Sequence, residues 1–223
     1  MTFGADDLLQ LYAKGKFPMA DDRNTARVSI IDPDWRGVLP LDRLHLPRRL
    51  RRTIRQDRFS VRINQNFPTC LRQCAEMAPN RTGTWINHGI EALCQQLFLT
   101  GNAHSVECYV QDQLVGGLYG ITLGGAFFGE SMFQRATNAS KVALFHLCAR
   151  LIRQGFSLLD VQFITDHLSQ FGAIEIPRNT YLEHLTTALP QNPNFSINPA
   201  PMQGAEVLEI LDAGYLQSNT HTS

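Results

Sequence analysis

Two short stretches of the chain carry polar residues where apolar neighbours make them costly to bury. In Phe127-Phe128-Gly129-Glu130-Ser131-Met132-Phe133, a strand places Glu130 on the same face as Phe128 and Met132. A carboxylate beside sulfur and ring carbon loses solvation unless something compensates it, so Glu130 is a candidate for chemistry. The plainer alternative is an edge strand whose Glu points to water. In Leu158-Leu159-Asp160-Val161-Gln162-Phe163, Asp160 and Gln162 share one face, while Leu159, Val161 and Phe163 share the other. An acid and an amide side by side suggest a hydrogen-bonded pair lining a cleft; a wet sheet face is the alternative.

A third feature is electrostatic. Nine arginines (Arg36, Arg43, Arg48, Arg49, Arg51, Arg52, Arg55, Arg58 and Arg62) fall between positions 36 and 62. Only Asp42 and Asp57 oppose them, although the whole chain is formally neutral. Arginine suits two-pronged contact with phosphate, so a nucleic-acid backbone is the natural partner; otherwise the run is a solvated helix face. The histidines His88, His104 and His167 read as structural. No Ser or Cys stands in a nucleophile elbow, and the five cysteines lack the spacing of a metal site. They read as buried thiols. No metal and no cofactor are expected.

The elements that must position these residues follow from periodicity. A capped helix starts at Asp6-Asp7 and stops at Gly15, followed by a proline-punctuated stretch to Pro40. The spacing predicts a basic helix over 47–55, a strand over 60–63 and an amphipathic helix over 87–100. Strands over 105–110, 114–119 and 125–133 then form an antiparallel meander, with turns at Asp112-Gln113 and Leu123-Gly124. A helix over 140–154 ends at Gly155. A strand over 157–163, a short helix over 167–171, a strand over 174–176 and a helix over 180–187 complete the pattern. This order gives a mixed α/β (α+β) sheet, by analogy an N-acetyltransferase-like domain. The expected organisation is a small N-terminal domain over 1–36, a catalytic domain over 37–211 and a loose tail over 212–223. The link 134–141 precedes a helix and could hold a phosphate. It lacks the glycine-rich pyrophosphate loop of acetyl-CoA enzymes, which counts against coenzyme A. No apolar run approaches the ~18 residues of a membrane span, and a secretory signal is not expected from the opening Met1-Thr2-Phe3-Gly4-Ala5-Asp6-Asp7. No membrane partner and a cytoplasmic location are therefore expected.

Longer motifs carry a resemblance. They are Gly83-Thr84-Trp85-Ile86, Ala103-His104-Ser105-Val106-Glu107, Leu114-Val115-Gly116-Gly117-Leu118-Tyr119-Gly120, Phe128-Gly129-Glu130-Ser131-Met132-Phe133, and Asn138-Ala139-Ser140-Lys141. Leu159-Asp160 with Gln162, His167-Leu168, Phe171-Gly172-Ala173, Glu175-Ile176-Pro177-Arg178 and Tyr181 continue the series, and Phe17-Pro18 and Arg36-Gly37-Val38-Leu39 precede it. Over about residues 8–185 the chain resembles the leucyl/phenylalanyl-tRNA–protein transferase family.

The resemblance implies transfer of Leu or Phe, and Met weakly, from aminoacyl-tRNA to acceptor proteins with N-terminal Arg or Lys, which marks them for N-degron degradation. It implies an apolar amino-acid pocket at Leu118, Phe127, Met132 and Leu159, with Trp85 against the terminal adenosine or the pocket. Glu130 would be the site carboxylate, and Asp160 and Gln162 the proton-handling pair. Arg48, Arg49, Arg51, Arg52 and Arg55 would hold tRNA phosphates. The chain departs from the family at Met19 and at Ile30-Ile31, where many members carry Trp and Trp-Trp. The reaction needs no energy source: an amine attacks an ester and yields an amide. An acetyl-CoA-dependent acetyltransferase and a tRNA-binding module without activity are the rival readings.

Overall fold

The computed structural model describes residues 3–76, 83–196 and 200–220. In chain order the elements are α1 (Ala5–Ala13), β1 (Phe17–Ala20), β2 (Val28–Ile31), β3 (Trp35–Val38), α2 (Arg48–Arg55), β4 (Ser60–Ile63), α3 (Phe67–Ala75) and α4 (His88–Leu99). They continue with β5 (Ala103–Val110), β6 (Gln113–Leu123), β7 (Ala126–Gln134), α5 (Ala139–Gln154), β8 (Leu158–Gln162), α6 (Asp166–Ser169), β9 (Ile174–Pro177), α7 (Arg178–Ala188) and α8 (Gly204–Thr220).

Seven strands form one mixed sheet in the order β4-β5-β6-β7-β8-β3-β9, and β1 pairs with β2 in a separate ribbon. The fold is therefore mixed α/β. The expected meander is β5-β6-β7. Its first turn is Gln111-Asp112, one residue earlier than the sequence suggests, because both residues take positive φ (49° and 61°), as a tight two-residue hairpin requires. Among the described residues the one parallel pair is β7 with β8, joined through α5, since parallel neighbours need a long crossover. That pairing ends at Phe128 opposite Asp160. Beyond it the two strands part, and a cleft opens between them.

Each face of the sheet is covered by helices, because strands buried on both sides need two apolar layers. On one face Leu144, Leu147, Leu151 and Cys148 of α5 meet Leu50 and Ile54 of α2 and Val207, Leu208 and Leu211 of α8. On the other, Leu8 and Tyr12 of α1, Phe67 and Leu71 of α3, Ile90 and Leu97 of α4 and Tyr181 of α7 form a second core. All five cysteines are buried thiols.

The structure corrects three expectations. The helix α8 runs through Thr220, so the chain past Asp212 is not a loose tail; residues 221–223 lie outside the described residues. Burial of Val207, Leu208 and Leu211, with ion pairs Arg51–Asp212 and Arg153–Glu206, holds that helix against α2 and α5. The boundary expected at 36/37 falls inside β3, a strand seated between β8 and β9 of the main sheet. Finally, Phe128 and Met132 do not share a face. Tyr119 pairs with Ser131 and Gly120 with Gly129, leaving Glu130 as the extra residue of a β-bulge. A bulge reverses the alternation, so Phe128 joins the second core while Met132 packs on the first.

Candidate active site

The parted ends of β7 and β8 enclose a cavity of about 300 Å³, at the lower end of small-molecule sites. Leu118, Met132, Leu144, Leu147 and Leu159 give it an apolar wall. Glu130, Gln162, Thr165 and His167 give it polar edges.

Glu130 is buried, and its Oε1 accepts two hydrogen bonds: from the Tyr12 hydroxyl at 2.8 Å and from the Gln162 side-chain amide at 2.8 Å. Burial pushes its carboxyl up to about 8. The Tyr12 hydrogen bond pulls the other way, and the nearby Asp160 carboxylate adds to the rise. The same burial, with Glu130 beside it, raises the Tyr12 hydroxyl. His167 is held below its usual value by burial and by Lys141.

Gln162 closes β8 in an unusual way. Its φ is +61°, and Phe163 N–H donates to the Val161 carbonyl at 2.7 Å across it. A three-residue turn with positive φ at a residue other than glycine is strained, by about 1–3 kcal/mol. Asp160 offsets that strain: its Oδ1 accepts the Gln162 backbone N–H at 2.8 Å. The pairing expected within the strand, Asp160 on the Gln162 amide, is thus made through the backbone, and the amide turns to Glu130 instead.

Asp160 is fully buried and does not line the cavity. Arg36, 1% exposed, grips it from behind, Nε to Oδ1 at 2.9 Å and Nη2 to Oδ2 at 2.6 Å. The Tyr181 hydroxyl donates to Oδ2 at 2.7 Å. Arg36 also donates to the Gly15 carbonyl at 2.9 Å and lies over the rings of Phe17 and Tyr181. A buried pair of this kind costs about 3–5 kcal/mol when one partner alone is removed.

The sequence-predicted site residues therefore divide. Glu130, Gln162, Leu118, Met132 and Leu159 meet at the cavity, and Asp160 stands one layer behind it. Phe127 is buried below, stacked on Phe195 at 5.4 Å, and Trp85 lies half-buried before α4 with its carbonyl accepting from Ala20; neither lines the cavity. Arg48, Arg49, Arg52 and Arg55 lie along α2 toward solvent, and Arg43 and Arg58 are exposed beside it, whereas Arg51 is tied to Asp212. Arg36, counted with that run in the sequence, belongs to the buried network. Tyr12, Arg36 and Tyr181 are not legible as site residues in the sequence. Tyr12 and Tyr181 sit at core positions of their helices, and Arg36 reads in the sequence as one more member of the basic run. His167, read as structural, borders the cavity.

Comparison with known proteins places these motifs. The leucyl/phenylalanyl-tRNA protein transferase family matches over residues 38–186. Curated proteins named leucyl/phenylalanyl-tRNA–protein transferase are similar along most of the chain. The one from Phenylobacterium zucineum (strain HLK1) is 59% identical over 187 residues, covering 84% of this chain and 85% of its own. The one from Maricaulis maris (strain MCS10) is 53% identical over 209 residues, covering 94% of this chain and 97% of its own. Among solved structures, that of L-PGS from Bacillus licheniformis is similar at a TM-score of 0.43 and 12% identity, covering 71% of this chain and 66% of that one.

Proposed function

The chain belongs to the leucyl/phenylalanyl-tRNA protein transferase family and is an aminoacyltransferase that acts from aminoacyl-tRNA to protein; from that premise we propose how its residues divide the work and which acceptors it takes. The donor is Leu or Phe, and Met more weakly, because one methylene in an apolar pocket discriminates by only about 1–3 kcal/mol. The acceptors begin with Arg or Lys, the transfer marks them for N-degron degradation, and the reaction runs in the cytoplasm, where aminoacyl-tRNA is made and used.

One observation supports this reading most: an apolar wall of Leu118, Met132, Leu144, Leu147 and Leu159 faces the Glu130–Gln162 pair across a single cavity. The donor side chain takes the apolar wall, and its ester carbonyl lies toward the polar edge. The acceptor amine is roughly 10–15% neutral at pH 7 without help. It attacks the ester carbon, the amide bond forms, and the bond to the ribose oxygen breaks. The amine gives up one proton and the ribose oxygen gains one. Glu130, its carboxyl raised to about 8 and so protonated at pH 7, can give its proton to the leaving ribose oxygen and take the amine's in exchange, and Gln162 orients the amine with its amide oxygen. Positioning supplies most of the acceleration, up to about 7–11 kcal/mol in well-aligned cases. The solvent-facing arginines of α2 hold the tRNA by its phosphates.

The test uses purified protein, labelled Leu-tRNA, and peptides that begin with Arg, Lys, Asp or Ala. Label on the Arg and Lys peptides alone is the expected result. Transfer to Ala as fast as to Arg would refute the acceptor assignment. Binding of the tRNA without transfer would refute the division of catalytic roles.

A further inference from the structure

The side chains behind Gln162 form a closed set that the transfer reaction does not by itself explain. We propose that Arg36, Asp160 and Tyr181 are positioning residues, a clamp that holds the Gln162 turn in place, and that Asp160 exchanges no proton during transfer. This rests on the proposed role of Gln162 at the reacting amine.

A carboxylate offers about four lone-pair sites. Asp160 fills them with Arg36 Nε and the Gln162 N–H at Oδ1, and with Arg36 Nη2 and the Tyr181 hydroxyl at Oδ2. A proton arriving there must displace a donor. The Gln162 side-chain amide donates to Glu130, so no hydrogen bond leads from that side chain to Asp160. What joins Asp160 to Gln162 is the backbone N–H, and that contact fixes a turn geometry (φ +61°) which glutamine does not favour unaided.

Arg36 cannot drift, because its Nη1 donates to the Gly15 carbonyl and its guanidinium lies between the rings of Phe17 at 4.4 Å and Tyr181 at 4.7 Å. The clamp therefore draws on the loop after α1, on β3 and on α7, and delivers its hold to one peptide unit at the cavity. Tyr12 does the same for the neighbouring carboxylate through Glu130 Oε1.

The experiment is a double-mutant cycle on the full chain, with kcat and KM for Leu-tRNA measured separately on an Arg-initiated peptide. Asp160→Asn alone strands the Arg36 cation, and kcat should fall roughly 100-fold or more with KM changed less than about threefold. Adding Arg36→Gln makes the buried pair neutral while Asn still accepts the Gln162 N–H. The double variant should regain at least about tenfold in kcat over Asp160→Asn, a coupling that independent sites lack. Its pH–rate profile should keep the parent's shape.

A double variant as slow as Asp160→Asn, yet with the parent's thermal unfolding midpoint, overturns the clamp, as does loss of one limb of the profile. If the double variant does not fold, Tyr181→Phe decides. It removes a single donor from Asp160 and should lower kcat about five- to twentyfold at constant KM; a parental rate overturns the proposal. Failure of the parent itself to transfer label would instead count against the proposed function.

Discussion

Glu130 keeps its proton in the folded protein up to about pH 8, against 4.5 for an ordinary glutamate. Because the native state binds the proton more tightly than the unfolded chain, the stability this group contributes is fully present below about pH 4.5. It is lost as pH rises through 8. Glu130→Gln removes the titration and still offers one oxygen to Tyr12 and Gln162. Thermal unfolding at pH 5 and pH 8 should therefore show the parent losing more stability than the variant across that interval, at about 1.4 kcal/mol per pH unit of unmatched protonation. Equal losses in the two proteins would contradict the assignment. At this scale the sequence is half legible. Glu130, Asp160 and Gln162 stand out as polar residues in apolar strands, a local signal. Their partners Tyr12, Arg36 and Tyr181 come from distant elements, and nothing in a local pattern reports a contact between positions 12 and 130.

Among the elements, the bulge in β7 decides the shape of the site. Strand alternation alone puts Phe128, Glu130 and Met132 on one face; the extra residue at Glu130 separates Phe128 from Met132. A bulge leaves little trace in residue types, so periodicity does not reveal it. Gly120 is its counterpart on β6. A Cβ there would stand inside contact distance of the Phe127 ring and the Phe128 carbonyl oxygen. Gly120→Ala should therefore destabilise the protein by about 1–3 kcal/mol. It should also lower the unfolding midpoint by several degrees, with a loss of transfer as Glu130 shifts. A variant with parental midpoint and rate would show that the bulge tolerates displacement. The long amphipathic helices α4 and α5 and the meander are readable from spacing. The strands β1, β2 and β3 are not, each being four residues long in a proline-rich stretch. Helix α8 is hidden because what holds it, the burial of Val207, Leu208 and Leu211 and its ion pairs, lies with α2 and α5 far upstream.

For the whole molecule, net neutrality conceals a surface split. The arginines of α2 line one side of it, and Arg51 alone among the five expected tRNA contacts is neutralised, by Asp212. Replacing Arg48, Arg49, Arg52 and Arg55 together with Gln should weaken tRNA binding at least tenfold near 0.1 M salt. It should also reduce the slope of log K against log salt by about 3–4, since every phosphate left unpaired keeps most of one counterion. An unchanged slope would move the tRNA to another face. The general class of the fold is legible from element order, whereas the seat of β3 is not, because pairing between positions 37 and 162 spans most of the chain. That seat has a consequence for synthesis. Residues 35–38 leave the ribosome early, but both strands that flank them are made from residues 158–177. Pairings so far apart form late. A nascent chain that still lacks β8, β9 and α7 has neither Asp160 and Gln162 nor the far wall of its pocket, so a half-made enzyme cannot draw on the charged tRNAs crowding the machine that is making it.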